Sequence, residues 1–190
     1  WYPPLIDSQA PVNDYCAAFF DRTHDEYGKV VDGSLVSEDF SRDFVVRSFA
    51  QPGAKHPVDK ALRLDTTVML VDDPVKRVDN MTMAWSLEAR VPFLDHELVE
   101  LAGAIPPHLK VAKGGKYILK EAARKVVPAE VIDRPKGYFP VPALKHIEGP
   151  YLDLVQEVLT SDTARARKLY QDEYIATLLD APKEHLTPLR

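Results

Sequence analysis

The stretch DDPVKRVDNMTMAWSLEARVPFLD, Asp72 to Asp95, sets five acidic and three basic residues into an apolar framework. Burying a charge is costly unless it is paired or meets a charged ligand. Asp73-Pro74 is expected to open a helix, because proline is tolerated at the first helical position. That helix is expected to run to about Glu88, where Pro92 forces Val91 toward an extended backbone. At about 100° per residue, Asp73, Arg77, Asn80, Ala84 and Glu88 fall within about 80° of one another. Val75, Val78, Met81 and Trp85 form an adjoining apolar face, expected to be core. The polar stripe therefore borders a predicted core face, as the rim of a pocket would. In the extended segment beyond, Glu88 and Arg90 are two apart and point the same way. Two readings fit this pattern: a network of structural ion pairs, or a ligand site. Spacing alone does not choose between them.

A second segment, DRPKGYFP from Asp133 to Pro140, carries Arg134 and Lys136 in a loop stiffened by Pro135 and turned by Gly137. A lysine there is a movable point charge on a preorganised segment. From Lys110 to Lys136 eight basic residues face three acidic ones, although the whole chain carries a net charge of -5. Such a local field suits a small polyanion such as a nucleotide or pyrophosphate. A solvated helix face explains the same lysines equally. The acidic total and the lack of interleaved aromatics argue against a nucleic-acid partner.

The 190 residues, 45% hydrophobic and 28% charged, describe one globular domain. No run approaches a membrane span, and a cytoplasmic location is expected. Cys16 is the only cysteine, so no internal disulfide forms. Six histidines are scattered without ligand spacing, and no metal is assigned. The opening WYPPLIDSQAP carries neither an initiator Met nor a signal pattern, which leads to the expectation of a piece of a longer protein.

Helical periodicity dominates. Helices are expected over about Val12 to Glu26, after a Ser37 cap with Phe40, Phe44 and Phe49 inward, and from His56-Pro57 with Leu62, Leu64 and Met69 inward. Asp95 should cap another helix that stops at Pro106-Pro107. The next follows Gly114-Gly115 and runs toward Pro128, and PAEVI forms a short helical turn. Helices over about Leu144 to Leu159, Ala164 to Tyr170 and Glu173 to Leu179 complete a mainly α chain without convincing strands.

Both segments, in this order, resemble the synthetase domain of glutamine-dependent asparagine synthetases. The family pattern, (K/R)-x-D-x-x-(S/T)-M-A-x-(S/G)-L-E-x-R-x-P-F-L-D-H, stands here from Arg77 through Asp79, Thr82, Ser86, Glu88, Arg90 and Asp95 to His96. GGKYILKEAARKVVPAEVIDRPKGYF matches the family's lysine-bearing helix and loop. The match is strong over about residues 72 to 142.

The resemblance implies that the whole chain, 1–190, is the helical C-terminal portion of an α/β adenine-nucleotide-binding domain of the PP-loop ATP pyrophosphatase type. The parent enzyme would pair it with a glutaminase that has a terminal cysteine nucleophile. It would use ATP and magnesium to adenylate a carboxylate, which ammonia then attacks. The Ser-Gly-Gly-x-Asp-Ser loop and the glutaminase are not in this sequence. The fragment alone is thus expected to be inactive and to hold neither cofactor. Lys136 matches the lysine that stabilises negative charge as pyrophosphate leaves. Arg77, Glu88 and Arg90 match a charged network around the acceptor and pyrophosphate, which Asp73 joins.

The implied partners are small molecules: ATP, a carboxylic acid and ammonia. A homo-oligomer is left open. The loop departs from the common R-P-K-x-G-F, because Gly137 directly follows Lys136. With Trp1-Tyr2-Pro3-Pro4, this looks like the branch that amidates the dipeptide N-acetylglutaminylglutamine. A catalytically silent helical scaffold is the competing class. A β-lactam-forming relative is disfavoured by the intact L-E-x-R-x-P-F-L-D segment.

Overall fold

A computed structural model of the chain describes residues 3–20, 22–135 and 147–182. In chain order, α1 spans Pro11–Phe19, α2 His24–Val30, α3 Phe40–Ala50, α4 Pro57–Leu64 and α5 Lys76–Met83. Next come α6 (His96–Ala104), α7 (Pro107–Val111), α8 (Tyr117–Ala123) and α9 (Ala129–Ile132). Three more follow: α10 (Pro150–Thr160), α11 (Asp162–Ala166) and α12 (Asp172–Asp180). The chain is mainly α, as its periodicity predicts: among the described residues there is no strand, only an isolated antiparallel bridge between Val31 and Tyr170. No helix among them is long and apolar enough to cross a membrane.

The chain divides into two compact units, Trp1–Phe19 with Phe40–Arg134, and Phe20–Asp39 with Pro135–Arg190. The core of the first is small. Tyr15 of α1, Val45 and Phe49 of α3, and Val58, Ala61 and Leu64 of α4 are buried, joined by Leu5. Tyr15 stacks on Phe19 at 5.1 Å between ring centroids and meets Phe49 tilted at 5.5 Å. The buried positions step by three or four, as one face of each helix requires. They are not the expected set: Phe40 and Phe44 of α3 are exposed, and so is Met69.

Several boundaries follow local chemistry. Pro57 stands at the start of α4, and His56 caps it by accepting a hydrogen bond from the Val58 N–H at 3.2 Å. Asp95 caps α6 through the N–H groups of Glu97 and Leu98 at 3.1 and 3.3 Å. α3 begins at Phe40, which moves the cap position from Ser37 to Asp39. The single helix expected over Val12 to Glu26 is two, because Thr23 and Glu26 form a reciprocal capping box that starts α2. Arg63 closes α3 from outside, donating to the carbonyls of Ser48, Gln51 and Pro52 at 2.7, 3.2 and 2.8 Å. These carbonyls lie at and just past a helix C-terminus, where a cation is favoured.

The largest correction concerns Pro74. It does not open a helix but sits inside one continuous helical run from Pro57 to Met83, about 40 Å long at 1.5 Å per residue. Two π turns, Asp65–Met69 and Val71–Val75, interrupt the α pattern. A proline ring inside a helix collides with the carbonyl four residues back, here that of Leu70, and brings no N–H. The wider turn relieves this: Lys76 donates to the Val71 carbonyl and Leu70 to that of Asp65, each five residues back. Thr66 and Thr67 back-bond to the carbonyls of Leu62 and Arg63 at 2.7 and 2.8 Å, which further loosens the first π turn.

Within that turn, Asp65 accepts a hydrogen bond from the Tyr15 hydroxyl at 2.7 Å. Burial raises the Asp65 carboxyl to about 6 and pushes Tyr15 up to about 12. Between pH about 4 and 6 the folded chain therefore holds a proton that the unfolded chain has released, so stability falls as pH rises through that window. Asp65→Asn keeps an acceptor for Tyr15 and removes the desolvated charge. It is expected to match the parent at pH 4 and to exceed it at pH 7 by on the order of 1 kcal/mol, allowing for partial solvent screening. Urea midpoints at the two pH values check this; a variant weaker than the parent at pH 7 contradicts it.

The second unit is tied together by backbone and amide bonds. Gln171 donates its side-chain amide to the carbonyls of Gly28 and Val31 at 2.7 and 3.1 Å. Its own N–H reaches the Val30 carbonyl at 3.0 Å.

Candidate active-site segment

The end of α5 decides where the charged residues of the motif point. Ser86 N–H bonds to the Met83 carbonyl and Leu87 N–H to that of Thr82, at 3.0 Å each. This is a Schellman closure with Ser86 in the left-handed position at φ 57°. Glycine takes that conformation without cost, and serine pays about 1–2 kcal/mol. The helix thus ends at Met83, short of the expected Glu88, and the chain leaves extended toward Pro92.

The expected stripe is accordingly split. Asp73 and Arg77 remain together, one turn apart across the second π turn, as an ion pair at 3.1 Å. Glu88 is not on their helix. It pairs instead with Arg90 at 3.4 Å, two residues on and expected to point the same way. Both pairs are largely exposed. Met81 and Trp85 are exposed as well, Trp85 at 82%, so the predicted core face is not buried among the described residues. The first unit's core forms at the other end of the helical run, where α1 and α3 lie. Lys136 lies outside the described residues.

Beside this apolar face runs an open groove of about 790 Å³, lined by Leu70, Val71, Pro74, Val75 and Val78 on one side and Val91 to Leu94 on the other. Arg90 lines it too, with Asp72, Lys76 and Asp79. Asp73, Arg77 and Glu88 are not among its lining residues.

Two charged contacts were not foreseen. Lys110 of α7 bonds to Asp59 at 2.9 Å and to the Gly103 carbonyl at 3.1 Å, tying α7 to α4 and to the end of α6. Arg124, just past α8, grips Asp133 with two bonds of 2.9 and 2.8 Å and Glu121 with one of 3.3 Å. The hydrogen bonds from Arg124 hold the Asp133 carboxyl below the usual carboxylate range. Among the described residues no three His, Cys, Asp or Glu side chains converge as a metal site.

The family model for asparagine synthase matches residues 7–189. Asparagine synthetase [glutamine-hydrolyzing] 1 of Bacillus subtilis is 32% identical over 140 residues, 73% of this chain and 22% of that protein. A putative asparagine synthetase of Mycobacterium tuberculosis is 39% identical over 101 residues, 53% of this chain and 16% of its own length. The human asparagine synthetase is 31% identical over 110 residues, 56% of this chain and 19% of its own length. The chain therefore spans about a fifth of the relatives it matches. No solved structure matches it at a significant level. The full pattern from Arg77 to His96 lies inside the matched region, and the chain belongs to the asparagine synthase family.

Proposed function

We propose that this chain is the C-terminal part of the synthetase domain of a glutamine-hydrolysing amidotransferase. In that reaction an acceptor carboxylate attacks ATP, pyrophosphate leaves, ammonia from glutamine attacks the acyl carbon, and AMP leaves. Arg77, Glu88 and Arg90, with Asp73, serve the acceptor and pyrophosphate; Lys136 offsets the charge that develops as pyrophosphate departs.

The observation that carries this reading is the Glu88–Arg90 pair. A guanidinium fork, ion-paired with one carboxylate and otherwise open to solvent, can take an anionic ligand through its donors. The Schellman turn at Ser86 fixes the backbone that presents it. The 190 residues alone are not expected to turn over, because they lack a phosphate-cradling Ser-Gly-Gly-x-Asp-Ser loop.

The Arg134-Pro135-Lys136-Gly137 sequence favours a dipeptide acceptor, N-acetylglutaminylglutamine, over aspartate. The complete enzyme, given glutamine and ATP with either acid, is expected to release AMP and pyrophosphate in step with amide formation. Amide from the dipeptide supports that acceptor, and amide from aspartate alone replaces it. Glutamine hydrolysis without pyrophosphate release from either acid would mean a silent scaffold.

A further inference from the structure

The most sheltered ion pair among the described residues joins α7 to α4. Lys110 Nζ donates to Asp59 Oδ1 at 2.9 Å and to the Gly103 carbonyl at 3.1 Å. The two side chains are 13% and 27% exposed, whereas every other ion pair described leaves at least 39% of each side chain open. Salt and solvent screen such a pair less than an exposed one.

Its place along the chain gives it leverage on the groove. One wall, Leu70 to Val78, belongs to the helical run that begins at Pro57 and contains Asp59. The other wall, Val91 to Leu94, passes through Asp95 directly into α6. The Asp95 N–H bonds to the Pro92 carbonyl at 3.4 Å and its carboxylate caps α6, so wall and helix are joined without a free linker. Gly103, whose carbonyl Lys110 holds, lies in the last turn of α6. The returning chain is therefore tied to the run at two places. One is the Schellman turn after Met83; the other is Lys110 at Asp59, about 16 Å before Leu70 at 1.5 Å per residue. Apolar burial adds little, because no residue of α6 is buried and Leu98, Val99 and Leu101 are each at least 36% exposed.

We propose that Lys110 is a positioning residue for amide synthesis. By holding Asp59 and Gly103 together it fixes the returning chain against the run, and with it Arg90, which lines the groove, relative to Asp73 and Arg77. The proposal rests on the function proposed above, in which those residues serve the acceptor and pyrophosphate. A misplacement near 1 Å from a change far from the chemistry can cost on the order of 10²-fold in rate.

The test is made in the complete enzyme. Lys110→Met keeps a long stem and removes the charge; it is expected to lower kcat/KM for the acceptor by about 10-fold or more. Inhibition by added pyrophosphate should weaken with it, while glutamine hydrolysis stays near the parent rate. Lys110→Arg, which keeps donors for both oxygens, is expected to stay near the parent. The double variant Lys110→Met with Asp59→Leu leaves no unpaired charge, so it should melt near the parent while synthesis stays low. Parent-like synthesis in Lys110→Met overturns the proposal. So does a loss with pyrophosphate inhibition unchanged, recovery of synthesis in the double variant, or an Lys110→Arg enzyme no better than Lys110→Met. Arg90→Ala separates the two levels: if that enzyme makes amide at the parent rate, the function proposed for the site fails. If it does not, while Lys110→Met is parent-like, only the positioning role fails.

Discussion

Lys136→Ala in the complete enzyme is expected to abolish amide synthesis while glutamine hydrolysis continues. In the function proposed above, negative charge grows on pyrophosphate as it leaves and on the acyl oxygen as ammonia attacks. A preorganised donor aimed at such charge in a water-poor site is worth about 10²–10³ in rate. Lysine suits this task because its ammonium is a compact charge on a stem that can follow the moving group. In the sequence, Pro135 precedes it and Gly137 follows it. Ammonia, AMP and amide measured in one assay separate the two half-reactions. Ammonia without AMP or amide is the expected pattern. Parent-like amide formation would remove Lys136 from the reaction.

The second large effect is on stability. Phe49→Ala is expected to destabilise the chain by about 3–5 kcal/mol, the usual cost of emptying an aromatic site in a packed core. Phe49 is 4% exposed, and its ring meets Tyr15 at 5.5 Å. The first unit buries few other large side chains, so its core has little reserve. A domain's whole stability is on the order of 5–15 kcal/mol. Phe40, on the same helix, is 63% exposed, and Phe40→Ala is expected to stay within about 0.5 kcal/mol of the parent. Urea denaturation of the three chains decides it. Equal losses from the two substitutions would contradict the burial pattern.

The contrast between those phenylalanines shows what could be read in advance. Three phenylalanines on α3 invite an inward stripe through all of them, yet α1 and α4 meet the face that carries Val45 and Phe49. Pro74 misleads in a similar way. Proline is a common first residue of a helix, but a helix already propagating from Pro57 absorbs it by widening to a π turn. The common direction of Glu88 and Arg90 was legible because it needs only an extended backbone and a spacing of two. The Asp73–Arg77 contact was legible because a helix brings residues four apart together. The Arg124 grip on Asp133 was not, since it joins residues nine apart across the break between α8 and α9.

By itself the sequence determined the mainly helical class, the helix start at Pro57, the cap at Asp95, the stop before Pro106, and that Asp73 faces Arg77 and Glu88 faces the same way as Arg90. Each of these rests on hydrogen bonds or steric limits that act within a few residues. The tertiary structure alone decided which faces are buried, where Pro74 lies, and which carboxylate Arg124 holds. Those outcomes depend on the surface a distant segment presents, and local propensity carries no information about that surface.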